Sequence, residues 1–261
     1  MKMYRPRVIP ALLLKDKGLV KTIRFKDPTY VGDPMNAVKI FNDLKADELV
    51  FLDITATNED RLPPLDLLQK IADEAYMPFA AGGGVKSLEH ARMVINAGAE
   101  KVVINTAAVE NPAVIKQAAS VFGNQSIIVS LDAKKISEGR YEVFTHGGTR
   151  ATGLVPADIA HQAELKGAGE IMINSIDRDG TLEGYDLELV KQVADAVHIP
   201  VIACGGAKSY ENLVDPFEKG GATAVAAGSL FVFIGRKRAV LINYPDREDL
   251  VELFAESLKQ P

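Results

Sequence analysis

The stretch MPFAAGGGVKS, Met77 to Ser87, returns 122 residues later as IPVIACGGAKS, Ile199 to Ser209. At that offset Pro78, Gly83, Gly84, Lys86, Ser87 and Glu89 fall on Pro200, Gly205, Gly206, Lys208, Ser209 and Glu211. The neighbouring stretch DELVFLDIT, Asp47 to Thr55, likewise falls on GEIMINSID, Gly169 to Asp177, with Glu48 over Glu170. The chain is therefore a duplicated half. Its first apolar run, ending at Lys15, lines up with IIVSLDAK, ending at Lys134, and there Leu13 lies opposite Asp132.

Short β-branched runs alternate with segments of helical period, the pattern of βα units feeding a parallel sheet. We expect strands at Arg7–Leu14, Glu48–Ile54, Phe79–Ala81, Lys101–Ile104, Ile127–Asp132, Glu170–Ser175, Val201–Ala203 and Ala224–Ala227. Helices are expected near Pro34–Leu44, Pro64–Ala75, Leu88–Ala97, Pro112–Val121, Pro156–Lys166, Leu187–Val197, Tyr210–Lys219 and Glu248–Leu258. Eight such units in 261 residues, with a half-chain repeat, predict an α/β fold, a single (β/α)8 TIM barrel over residues 1–261 built from two half-barrels. The loops Lys15–Asp33 and Ala133–Val155 are longer than connection requires and leave C-terminal strand ends, so both are candidate lids; the second should hold a small hairpin with YEVFT as one arm.

A net charge of −5 without a basic run argues against nucleic acid as a partner. No apolar run approaches the roughly 20 residues of a membrane span, and the N-terminus lacks a signal-peptide core. One cysteine excludes an internal disulfide, so the expected location is cytoplasmic. His90, His161 and His198 lie in or beside helices with no second ligand at metal spacing, His146 in FTHGG reads as a loop histidine or one lining the site mouth, and neither metal nor cofactor is expected.

Glycines that follow strands and precede helices let a backbone approach an anion while helix N–H groups point at it. Gly83 and Gly84, with Asn105 and Thr106 after the fourth strand, form one expected phosphate cup. Gly205 and Gly206, with Gly228 and Ser229 after the last strand, form a second. Asp179 and Gly180 in SIDRDGT, Ser175 to Thr181, adjoin the second cup and offer a carboxylate and a close backbone approach. Two symmetric cups imply a ligand with two separated anionic ends, a phosphorylated small molecule. At the opposite barrel mouth Arg7, Glu48, Lys101 and Glu170 open their apolar strands, and two cations with two anions there form either a salt-bridged plug or a gate.

DELVFLDITA, GGG, INTAAVENP, LDAK, GAGEI, SIDRDGT and GGA together resemble the HisF family, the cyclase subunit of imidazole glycerol phosphate synthase, over about Arg5 to Phe233. The resemblance implies a glutaminase partner on the N-terminal barrel face, whose ammonia crosses the barrel to a bisphosphorylated substrate. It assigns the ammonia gate to Arg7, Glu48, Lys101 and Glu170, and phosphate binding to Gly84, Asn105, Thr106, Gly180, Gly206 and Ser229. Lys21 matches the lysine of the family's mobile first loop.

The family's acid–base pair is two aspartates, of which Asp132 is present as the catalytic candidate; Leu13 replaces the other. Asn174 stands where the family tends to have threonine. The segment RPRVIPALLLKDKGLVKTIRFKDPTYVGDP resembles instead a HisF-like branch associated with amidation of bacterial surface sugars. That branch implies a third component, a separate ATP-dependent sugar amidotransferase, with the barrel relaying ammonia. Two alternatives stay open: an authentic cyclase of histidine biosynthesis, and a non-catalytic regulator that binds phosphorylated metabolites and controls the glutaminase.

Overall fold

In the computed structural model, which describes residues 5–235 and 237–257, eight parallel strands close into a barrel. They are β1 (Arg7–Lys15), β4 (Leu49–Asp53), β5 (Phe79–Gly82), β6 (Lys101–Ile104), β7 (Ile127–Ser137), β10 (Glu170–Ser175), β11 (Val201–Cys204) and β12 (Ala224–Ala227). Pairing of β7 with β10 and of β12 with β1 closes the ring. The intervening helices are α1 (Pro34–Asp43), α2 (Leu65–Glu74), α3 (Leu88–Asn96), α5 (Ala113–Phe122), α6 (Pro156–Leu165), α7 (Leu187–Ala194), α8 (Asp215–Glu218) and α9 (Arg247–Ser257). A short α4 (Thr106–Glu110) follows β6. The expected ends of the chain at residues 1–4 and 258–261 lie outside the described residues.

Strand periodicity builds the interior. Alternate residues share a face, so β1 turns Arg7, Ile9, Ala11 and Leu13 inward; β4 follows Glu48 with Val50 and Leu52. Likewise β6 turns Lys101, Val103 and Asn105 inward, and β10 turns Glu170, Met172 and Asn174. The middle residues of these sets, with Ala80, Ile128, Ile202, Ala224 and Ala226, form an apolar cluster distinct from the larger core between strands and helices. The inward faces of β1, β4, β6 and β10 thus each carry a charge at the bottom, apolar side chains in the middle and a residue of the mouth at the top.

Two expectations need correction. The segment Lys15–Asp33 is not a loop: β2 (Gly18–Ile23) and β3 (Lys26–Gly32) make an antiparallel hairpin continuing β1. It extends the sheet because Val20 pairs with Leu13; Leu19 and Val31 pack into the core between strands and helices, while Lys21, Thr22 and Phe25 line the mouth. The expected helix Tyr210–Lys219 is a 3-10 turn at Glu211–Leu213 and the one-turn α8, since Pro216 lacks an N–H and disfavours helix before it. The hairpin expected after the fifth barrel strand is present as the extension of β7 paired with β8 (Arg140–Thr145), which also pairs with β9 (Arg150–Ala151). After β12, β13 (Phe233–Ile234) pairs with β14 (Ala239–Val240).

Candidate active site at the C-terminal mouth

The C-terminal ends of the strands surround a cavity of about 180 Å3 lined by Leu13, Lys21, Leu52, Asp132, Asn174 and Cys204 among others. A second cavity of about 160 Å3 shares Thr57, Gly83, Val103 and Asn105 with it, so one continuous depression joins the two expected cups. The first cup follows β5 and the second follows β11, strands diametrically opposite in an eight-stranded ring.

At the first cup Gly83 and Gly84 have positive φ, 122° and 66°. A side chain at Gly84 would run into the Arg61 carbonyl, so only glycine lets the loop pass there. His90 sets its Nδ1 3.2 Å from the Gly84 carbonyl. Thr106 Oγ1 accepts from His146 N at 3.0 Å, and Lys86 pairs with Asp60 at the rim. At the second cup Gly205 and Gly206 also have positive φ, and Ser229 begins a 3-10 turn after Gly228.

Lys21 is carried into the second cup by β2. It is buried, donates to the Ala11 carbonyl, and sits where a Cβ on Gly228 would meet its Nζ at 2.6 Å. Burial brings its ammonium pKa down to about 8, against the opposing pull of Asp179. Asp179 lines the cavity and also braces the hairpin. Its Oδ2 accepts from Thr22 Oγ1 at 2.7 Å and from Phe25 N at 3.2 Å, so that oxygen holds the hairpin. Burial raises the Asp179 carboxyl, partly offset by those two bonds. Gly180 lines the cavity, and its carbonyl accepts from Arg238 at 2.7 Å.

Asp132 tops β7 inside the cavity, accepting from Asn105 Nδ2 at 3.0 Å and from Asn174 Nδ2 at 3.4 Å. Burial pushes its carboxyl up to about 7, against those amides, which favour the ionised form. Such a group exchanges a proton near neutral pH. Register places Asp132 beside Asn174, and the symmetry-related pair is Leu13 beside Leu52. The cavity floor is therefore polar where β7 meets β10 and apolar where β1 meets β4. Cys204, also in the lining, is pushed up to about 12 by burial and is not a ready nucleophile.

At the N-terminal mouth the four expected charges form a closed ring. Arg7 pairs with Glu48 and, at 2.6 Å, with Glu170; Lys101 pairs with Glu48 at 2.9 Å and Glu170 at 2.7 Å. Glu48 is only 2% exposed, which makes its two cationic partners obligatory. Beside the ring Arg5 grips Asp47 through both guanidinium nitrogens, at 2.6 and 2.7 Å.

Several lining residues escaped the sequence reading. Phe25 and Thr22 belong to the unrecognised hairpin. Asp53, which accepts from Thr55 N and Ala56 N and pairs with Arg61 at 2.6 Å, shapes the first cup's approach. The repeat offset was the available signal, since it sets Leu52 and Asp53 opposite Asn174 and Ser175. Among the described residues no group of three or more His, Cys, Asp or Glu side chains could hold a metal, and no helix is long and apolar enough to cross a membrane.

Fold and site together define a half-duplicated (β/α)8 barrel with paired glycine cups at one mouth and an ion-paired ring at the other. The family described as histidine biosynthesis protein matches residues 7–235. A Pseudomonas aeruginosa protein provisionally named imidazole glycerol phosphate synthase subunit hisF2 is 52% identical over 244 residues, 94% of this chain and 97% of its own. A Leptospira interrogans protein provisionally named as subunit HisF is 49% identical over 253 residues, 97% of this chain and 100% of its own. The imidazole glycerol phosphate synthase subunit HisF of Alkaliphilus metalliredigens is 45% identical over 229 residues, covering 88% and 91%. The chain belongs to the histidine biosynthesis protein family, and within it is HisF-like.

Proposed function

We propose that this barrel is the ammonia-receiving synthase subunit of a glutamine amidotransferase complex, and that it relays ammonia for amidation of a phosphorylated sugar. A glutaminase docks on the N-terminal face, ammonia passes the Arg7–Glu48–Lys101–Glu170 ring and the apolar lumen, and the acceptor engages the C-terminal mouth. A separate ATP-dependent amidotransferase activates the acceptor. Asn105, Thr106 and the glycines of the two cups, with Lys21, Gly180 and Ser229, hold the anionic groups.

The observation that carries this reading is the apolar pair Leu13–Leu52 facing Asp132–Asn174 above an intact ring. The ring and the apolar lumen support passage, while one of the two carboxylates a cyclase needs is leucine. A positioned acid or base contributes about 10²–10⁴-fold, a loss that a dedicated cyclase would not carry. The number in the name of the Pseudomonas aeruginosa relative, hisF2, fits a copy additional to a histidine-pathway subunit.

The competing reading, a cyclase of histidine biosynthesis, draws on the two opposed cups, which suit a bisphosphate, and on Asp132 poised near neutral pH. Ring substitution tests the relay. In a reconstituted complex, Lys101→Ala should change glutamine-dependent nitrogen transfer while leaving transfer from added ammonium salt intact. Unchanged glutamine-dependent transfer would contradict the relay.

A further inference from the structure

Among the described residues two arginines have positive φ, Arg24 at 53° and Arg238 at 51°, where glycine is the default. Each sits in the turn of a hairpin outside the barrel, Arg24 between β2 and β3 and Arg238 between β13 and β14. The hairpins come from opposite ends of the chain, yet both guanidinium groups reach one short turn, Asp177 to Gly180. Arg24 Nε donates to the Asp177 carbonyl at 3.1 Å, and Arg238 Nη2 to the Gly180 carbonyl at 2.7 Å. Backbone strain of this kind is costly and calls for a physical reason.

Neither guanidinium pairs with a carboxylate among the described residues. An arginine has five N–H donors in a rigid fork, so one bond to a carbonyl leaves the charge and most of the fork unspent. Arg238 also lies over the Phe233 ring, 5.7 Å from its centroid, which holds the side chain in place. The turn that the two arginines grip is the edge of the second cup. Gly180 lines the larger cavity together with Gly205, Gly206 and Ser229, and buried Lys21 packs against Gly228. The first cup has no such surplus: Lys86 pairs with Asp60, Arg61 with Asp53 and Glu59, and Arg150 lies 4.0 Å from Glu110. Positive charge that carboxylates cancel at one end of the mouth is left over at the other.

We propose that Arg24 and Arg238 extend the second cup into a site for two adjacent phosphoryl groups, so that the acceptor enters as a diphosphate ester of a sugar. The glycines, Ser229 and Lys21 take one phosphoryl group, and the two guanidinium forks take its neighbour through charge-assisted hydrogen bonds. A lone phosphate at this end would leave both arginines unanswered. The inference rests on the proposed function for the sugar acceptor. Its test reads anion binding alone, so its failure would leave the ammonia relay to the Lys101→Ala experiment.

The experiment is calorimetric titration of the whole barrel with inorganic pyrophosphate and with inorganic phosphate, free of divalent metal and at about 0.15 M salt to suppress loose surface binding. Arg24→Gly and Arg238→Gly match the positive φ of their turns and should fold; melting temperatures check this. Where a glycine variant does not fold, the glutamine variant replaces it, since it keeps a donor for the carbonyl and loses the charge. The parent should bind pyrophosphate at least about tenfold more tightly than phosphate. Each variant should lose about tenfold for pyrophosphate while its phosphate affinity stays within about twofold of the parent's. Equal affinities in the parent, or binding of neither anion, would overturn the proposal. A pyrophosphate preference that both variants retain would overturn it too, because the preference would then come from the greater charge of pyrophosphate acting on the cup alone.

Discussion

Asp132 holds its proton up to about pH 7 because it is buried among amides that cannot replace water. An unfolded aspartate releases its proton near pH 4. Between those values the folded state binds more protons, so stability falls as pH rises through the window and levels off above it. Asp132→Asn removes this dependence. The parent's melting temperature should fall relative to the variant's between about pH 4 and about pH 7; parallel curves would mean the carboxyl ionises normally. Lys21 works in the opposite sense at higher pH. Its folded pKa is depressed to about 8, so its unfavourable burial as a cation is relieved as pH rises from there towards the ordinary lysine value. Lys21→Met should therefore stabilise most at neutral pH and progressively less above about pH 8, a trend that chemical denaturation at several pH values would reveal.

The barrel strands were legible because each is a compact apolar run bounded by a glycine or a charge, and because the repeat supplied two readings of every unit. Asp132 and the cups followed from strand ends in the same way. The β2–β3 hairpin was not legible. Hairpin turns are read from Asn-Gly or Asp-Gly pairs, whereas this turn is made by Arg24 and Phe25, both at positive φ, 53° and 63°. Tertiary bonds hold that conformation in place of glycine: Arg24 N donates to Asp179 O at 2.9 Å and Phe25 N to Asp179 Oδ2. Gly180 lets the two segments touch, since a Cβ there would strike the Thr22 carbonyl. Gly180→Ala should push the hairpin off the mouth, with a stability loss of at least about 1 kcal/mol from the positive φ alone. Limited proteolysis would show it as new cleavage within residues 15–33; an unchanged pattern would mean the hairpin is held elsewhere.

At the scale of the whole barrel, the inward faces of β1, β4, β6 and β10 link ring, lumen and mouth, and the duplication makes the two halves comparable residue for residue. One half ends in Asp132 and Asn174, the other in Leu13 and Leu52. The ring is costly to break from one side, since removing one partner of a buried ion pair destabilises by about 3–5 kcal/mol. Lys101→Ala should therefore melt lower than Glu48→Ala, because it leaves the buried Glu48 and Glu170 each short of a partner, whereas Glu48→Ala strands the more exposed Arg7 and Lys101. The central claim is that this barrel keeps the binding mouth of a cyclase without its chemistry. The direct measurement is turnover of the imidazole glycerol phosphate synthase ribonucleotide substrate with ammonium salt and no glutaminase, comparing the parent with Leu13→Asp. An inert parent and a variant that gains about 10²-fold or more over it is the expected result. A parent that already turns over well would contradict the relay role and place the protein among the cyclases of histidine biosynthesis.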